Sequence, residues 1–139
     1  HLLLDIVSKG GNLALNLAPQ PDGELPAGAV ASLRDMGRWL RMHGEGIYET
    51  DIIKPYFERN VKYTAKNNIR YAFYLYDDCV RLPLRVSLPA TEDIKSVRLM
   101  RTGQEIPFKK QGSQLLLDTT DVDRNSAFYA DCFILEAMP

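Results

Sequence analysis

The chain has 139 residues, with 17 Lys and Arg against 18 Asp and Glu, a formal net charge of -1, and 45% hydrophobic and 25% charged residues. That size suits one domain, or one small domain plus a piece of another, with enough buried surface to fold without staples. The balanced charge, with basic residues scattered rather than striped, excludes a nucleic-acid partner, and no apolar run is long enough to span a bilayer, which argues against a membrane partner.

The sequence opens at His1 and runs directly into Leu2-Leu3-Leu4-Asp5-Ile6-Val7. This stretch is too short for a signal peptide and has no basic region before it. We read it as the end of an amphipathic helix in a piece whose upstream partner lies outside these residues. Gly10-Gly11 is a helix stop, because glycine takes the left-handed conformation that closes a helix. Asn12–Leu17 is apolar at 13, 15 and 17 and lacks charge on its other face, which predicts a short strand covered on both sides, as in a parallel sheet. Pro19, Pro21 and Asp22-Gly23 mark a loop over 18–26.

Pro26 suits the first turn of a helix. The recurrence of Val30, Leu33, Met36, Gly37 and Leu40 predicts that helix to His43, with those residues as its buried face. His43 near the carboxyl end suits the helix dipole. Residues 45–60 read as a connection, and after it the hydrophobic period changes to two. Val61, Tyr63 and Ala65 alternate with polar residues. Asn67-Asn68 signals a tight turn, and Ile69, Tyr71, Phe73 and Leu75 form one face of the returning strand. Leu82–Leu88 predicts another strand, with Pro83 at an edge or a strand start. Further strands are expected over 96–101, 104–109, 114–118 and 128–137. Many short strands separated by turn signals predict an antiparallel sandwich.

The expected fold class is therefore α+β: a helix-strand-helix piece over 1–50 followed by an antiparallel β-sandwich over 51–139. A single βα unit cannot close a parallel sheet alone. Two cysteines, Cys79 and Cys132, leave a disulfide open, although Cys132 lies in an apolar strand pattern and reads as a small buried hydrophobe.

The run Asp5-Ile6-Val7-Ser8-Lys9-Gly10-Gly11-Asn12, the apolar stretch ending at Asn16, Ala18-Pro19 and Asp22-Gly23 together resemble a signature of the α-L-fucosidases of glycoside hydrolase family 29. Gly44-Glu45-Gly46-Ile47-Tyr48-Glu49-Thr50 and Val61-Lys62-Tyr63-Thr64 also resemble that family. The sequence departs from the family pattern at Ala18 and Glu49, where Gly is usual, and at Asp77-Asp78-Cys79, where Trp-Pro is common. The resemblance implies a (β/α) barrel followed by a sandwich. Residues 1–50 would then be the last βα portion of the barrel. It also implies a retaining mechanism that uses an Asp nucleophile and a Glu acid/base, both expected upstream of His1. It further implies fucosylated glycan as substrate, the rest of the barrel as partner, no cofactor, and an extracytoplasmic location.

Candidate residues divide accordingly. Asn16 and Gln20 follow a strand of the expected barrel and are candidates for shaping the sugar pocket, although Asn16 suits loop anchoring better. Asp22-Gly23 reads as turn chemistry rather than a catalytic carboxylate. Asp5 and Trp39 suit packing roles. His43 has no second His or Cys nearby for a metal site. Asp77-Asp78 and Asp121–Asp123 lack the run of ligands that a calcium loop needs. Tyr74 and Tyr76 would contact a glycan only if exposed, so the alternative function is a non-catalytic sandwich that binds carbohydrate or protein. Separated from a barrel, the apolar faces of 1–9 and 27–43 predict self-association.

Overall fold

The computed structural model describes residues 1–77, 81–90, 92–126 and 128–138. Two helices, α1 (Leu2–Ser8) and α2 (Ala27–His43), are followed by a short 3-10 turn at Gly44–Gly46. Eight strands come next: β1 (Phe57–Glu58), β2 (Val61–Lys66), β3 (Ile69–Leu75), β4 (Arg85–Pro89), β5 (Ile94–Leu99), β6 (Phe108–Gln111), β7 (Gln114–Asp118) and β8 (Ala130–Ala137). They form a five-stranded sheet in the order β1-β2-β3-β8-β5 and a three-stranded sheet in the order β4-β7-β6. Every pairing between these strands is antiparallel.

The period-two pattern explains the layering. Along β3, Tyr71 and Phe73 face the helices with Ile69 and Leu75, whereas Ala72, Tyr74 and, just past the strand, Tyr76 join the core between the sheets. Its partner β8 divides in the same way: Ala130, Cys132 and Ile134 face the helices, and Phe133 and Leu135 face the second sheet. Successive side chains of a strand point to opposite faces, so two strands covered on both faces must be apolar on both. The result is three layers, with the helices on one side of the large sheet and the small sheet on the other. Asn67 takes the left-handed conformation, φ 56°, in the turn between β2 and β3, as its side chain favours.

Several sequence expectations are corrected. Residues 12–17 form no strand, because no described segment pairs with their backbone groups. β6 starts four residues later than the segment expected over 104–109. Only Glu105 there bridges to Arg98. The strand expected from Leu82 begins at Arg85, past Pro83. The buried residues of α2 are Trp39 and His43, whereas Leu33 is 37% exposed and Val30, Met36, Gly37 and Leu40 are partly buried. Only the carboxyl-terminal part of α2 packs on the sheet, so Leu40 of the stripe chosen by periodicity joins that core while Leu33 stays exposed.

Close packing marks this join. A Cβ on Gly46 would lie 2.7 Å from the tip of the Phe73 ring and 3.0 Å from Tyr71, so the chain passes over the sheet where only glycine fits. The Gly46 carbonyl accepts a 2.6 Å hydrogen bond from the Thr64 hydroxyl of β2, which anchors the turn.

Candidate functional site

Asn16 and Gln20 lie in the exposed segment between the helices. The Gln20 amide donates to the Glu24 carbonyl at 2.8 Å, and the Gly23 amide donates to the Gln20 carbonyl at 2.8 Å. The Asp22 carboxylate accepts from the Glu24 amide at 3.0 Å, and Gly23 adopts φ 84°. Asp22-Gly23 is thus a turn, as its residue types suggest.

Asp5 ties α1 to the sandwich by accepting from Lys62 of β2 and, at 2.7 Å, from Lys9. The two ammonium groups hold its carboxyl well below the usual carboxylate range, at about 2. Hydrogen bonds also push Asp93, Asp118, Asp123 and Glu136 down, through Lys110, Thr120, Asn125 and Lys95 respectively. A proton-donating carboxyl in glycoside hydrolysis needs the opposite shift. Among the described carboxyls, every one whose ionisation is displaced is displaced toward the charged, paired form. Among the described residues, no group of three or more His, Cys, Asp or Glu is placed to hold a metal ion.

A buried polar network lies where α2 meets the sheet. Asp131, fully buried at the start of β8, accepts from the Tyr76 hydroxyl at 2.7 Å and from Arg101 Nε at 2.7 Å. Arg101 also donates to the Ser126 hydroxyl at 2.8 Å and to the Asp123 carbonyl. His43 Nε2 lies 4.0 Å from Asp131. Burial, followed by the bond to Asp131, pushes the Tyr76 phenol far up, so it stays a donor. Trp39 Nε1 donates to the Ala130 carbonyl at 3.0 Å, and Tyr71 donates to Glu45 at 2.9 Å.

The sequence reading placed Trp39 in packing, and the structure agrees. His43 ends α2 as expected but is buried there, and burial pushes its ring below the ordinary histidine range. Tyr76 is buried and Tyr74 half-buried against the inter-sheet core, so neither forms an exposed aromatic strip. Cys132 is a buried free thiol, whereas Asp78 and Cys79 lie outside the described residues. The Asp131 network was missed. Its signal was an Asp inside an otherwise apolar run, a residue that a two-sided buried strand tolerates only with partners.

The family model for α-L-fucosidase matches residues 1–45. Alpha-L-fucosidase of Branchiostoma floridae is 40% identical over 80 residues, which is 53% of this chain and 17% of that protein. Tissue alpha-L-fucosidase of Macaca fascicularis is 36% identical over 120 residues, 83% of this chain and 25% of that protein. Among solved structures, Thermotoga maritima alpha-fucosidase in complex with fucose superposes with a TM-score of 0.76 at 26% identity, covering 96% of this chain and 33% of that one. Alpha-L-fucosidase isoenzyme 1 from Paenibacillus thiaminolyticus superposes with a TM-score of 0.83 at 24% identity over 98% of this chain and 33% of that one, a likeness of fold.

The kinship is to the glycoside hydrolases. The chain belongs to the α-L-fucosidase family and corresponds to the carboxy-terminal part of its members, about a third of a solved one.

Proposed function

We propose that the chain is the carboxy-terminal portion of a retaining exo-α-L-fucosidase acting on terminal α-L-fucosyl linkages of glycans, and that it braces the sugar site rather than doing the chemistry. The observation that carries this reading is the division of α1, α2 and the segment between them. One side docks on the sandwich through Trp39, His43 and Asp5, whereas Leu2, Leu15 and Leu33 stay 62%, 53% and 37% exposed. Family-matched residues with an uncovered apolar side suit a surface that packs on the rest of a barrel, which takes about 250 residues in all. Two carboxyls about 5–5.5 Å apart would flank the scissile bond there. In this reading Asn16 and Gln20 contribute to the rim of the sugar pocket, no cofactor is needed, and the protein works outside the cytoplasm.

Hydrolysis of a chromogenic α-L-fucoside tests the reading when residues 1–139 are assayed beside the same chain carrying a full upstream barrel. Turnover is expected only from the longer protein. Turnover by residues 1–139 alone would move the chemistry onto Asp5, Asp22 or Glu24 and end the proposal. The uncovered faces also predict that residues 1–139 self-associate. Sedimentation should show a dimer or larger species, and a monomer at all concentrations would refute that. The alternative of a glycan-binding sandwich is disfavoured by the burial of Tyr71 and Tyr76.

A further inference from the structure

His43 closes α2 against the sheet, and its two nitrogens have unequal surroundings. Nδ1 lies 3.1 Å from the Trp39 carbonyl, which can only accept, so the neutral ring carries its proton there. Nε2 is buried without a hydrogen-bond partner. The ring stacks on Trp39, with centroids 4.6 Å apart and planes at 18°.

The charged and titratable groups around this joint come from four elements. Asp131 of β8 faces Nε2, but Arg101, from the turn after β5, and Tyr76, at the end of β3, already occupy both of its oxygens. Glu45 of the 3-10 turn is bonded to Tyr71 of β3, and Cys132 is buried in the same layer. An imidazolium here would meet a carboxylate whose charge is largely answered, and would meet the Arg101 cation as well.

We propose that His43 is a proton-sensitive element of this joint: the end of α2 packs on the sandwich with the buried ring neutral, and protonation in mild acid loosens that packing. Burial is the largest cause acting on the ring and pushes it below the ordinary histidine range, with Arg101 adding to the effect and the Trp39 carbonyl and Asp131 opposing it. The sign follows from proton counting. The unfolded chain takes up a proton near about pH 6.5, and the folded chain only at a lower pH. Stability is therefore full above that range and is lost as pH falls through it toward the folded value.

The chain has one tryptophan and two histidines, which makes the test direct. Imidazole resonances are followed by NMR between about pH 8 and pH 5, with Trp39 fluorescence and thermal midpoints at the same values. Three chains are compared: the native one, His43→Gln, and His1→Gln, which removes the exposed histidine. The His43 resonance is expected to titrate below the ordinary range near about 6.5. Acidification should shift the native chain toward unfolding by up to about tenfold per pH unit. His1→Gln should keep that fall and His43→Gln should reduce it, the remainder coming from the partly buried α-amino group of His1, which burial also pushes below its ordinary value. A His43 resonance titrating at or above the ordinary range, or an undiminished fall in a folded His43→Gln chain, overturns the proposal. If His43→Gln does not fold, the native resonance decides.

Discussion

Trp39→Ala is expected to cost about 3–5 kcal/mol of folding stability, a large part of what a domain of this size possesses. Trp39 is 5% exposed, stacks on His43 and lies 5.9 Å from the Phe73 ring. Truncation opens a cavity between α2 and the large sheet and leaves the Ala130 carbonyl without its donor. Trp39→Phe keeps most of the volume and loses mainly the hydrogen bond, so it should cost clearly less. Denaturant titration followed by far-ultraviolet circular dichroism reads both, because the variants lack the only indole. A loss below about 1 kcal/mol for the alanine variant would mean that α2 does not depend on this contact.

Asp131→Ala is the second large effect, expected at about 3–5 kcal/mol, because it strands a buried cation. The Arg101 side chain is 5% exposed, and its Nε would keep no carboxylate partner once Asp131 is gone. The Tyr76 hydroxyl would lose its acceptor at the same time. Replacing the pair together, Asp131→Leu with Arg101→Met, should cost less than the sum of the single losses, since neither charge is then left alone. A double-mutant cycle measured by denaturant titration checks this. Strict additivity would show that the two groups do not support each other.

These two positions show where sequence reading reached its limit. Trp39 was legible as packing because a lone aromatic beside Met36 and Leu40 on a helix belongs in a core. The network around Asp131 was not, because its members come from 43, 76, 101 and 131. No local period joins residues so far apart. Asn16 and Gln20 were chosen by their place in a family signature. The structure puts them in an exposed segment whose own hydrogen bonds form the turn at Asp22-Gly23.

The elements themselves were largely written in local patterns. Period-two alternation located β2, β3, β7 and β8 nearly to the residue, glycine marked the end of α1, and proline and glycine bracketed α2. Those signals are local, since side-chain direction along a strand or helix is set by backbone geometry alone. What the tertiary structure decided was which surfaces meet. It assigned the Trp39–His43 side of α2 to the sheet, left 12–17 without a strand partner, and buried Asp131 among groups distant in sequence. A helix carries several apolar stripes and a strand needs a neighbour, so such choices depend on the shape and hydrogen bonds of the segment opposite. That segment is fixed only once the whole chain has folded.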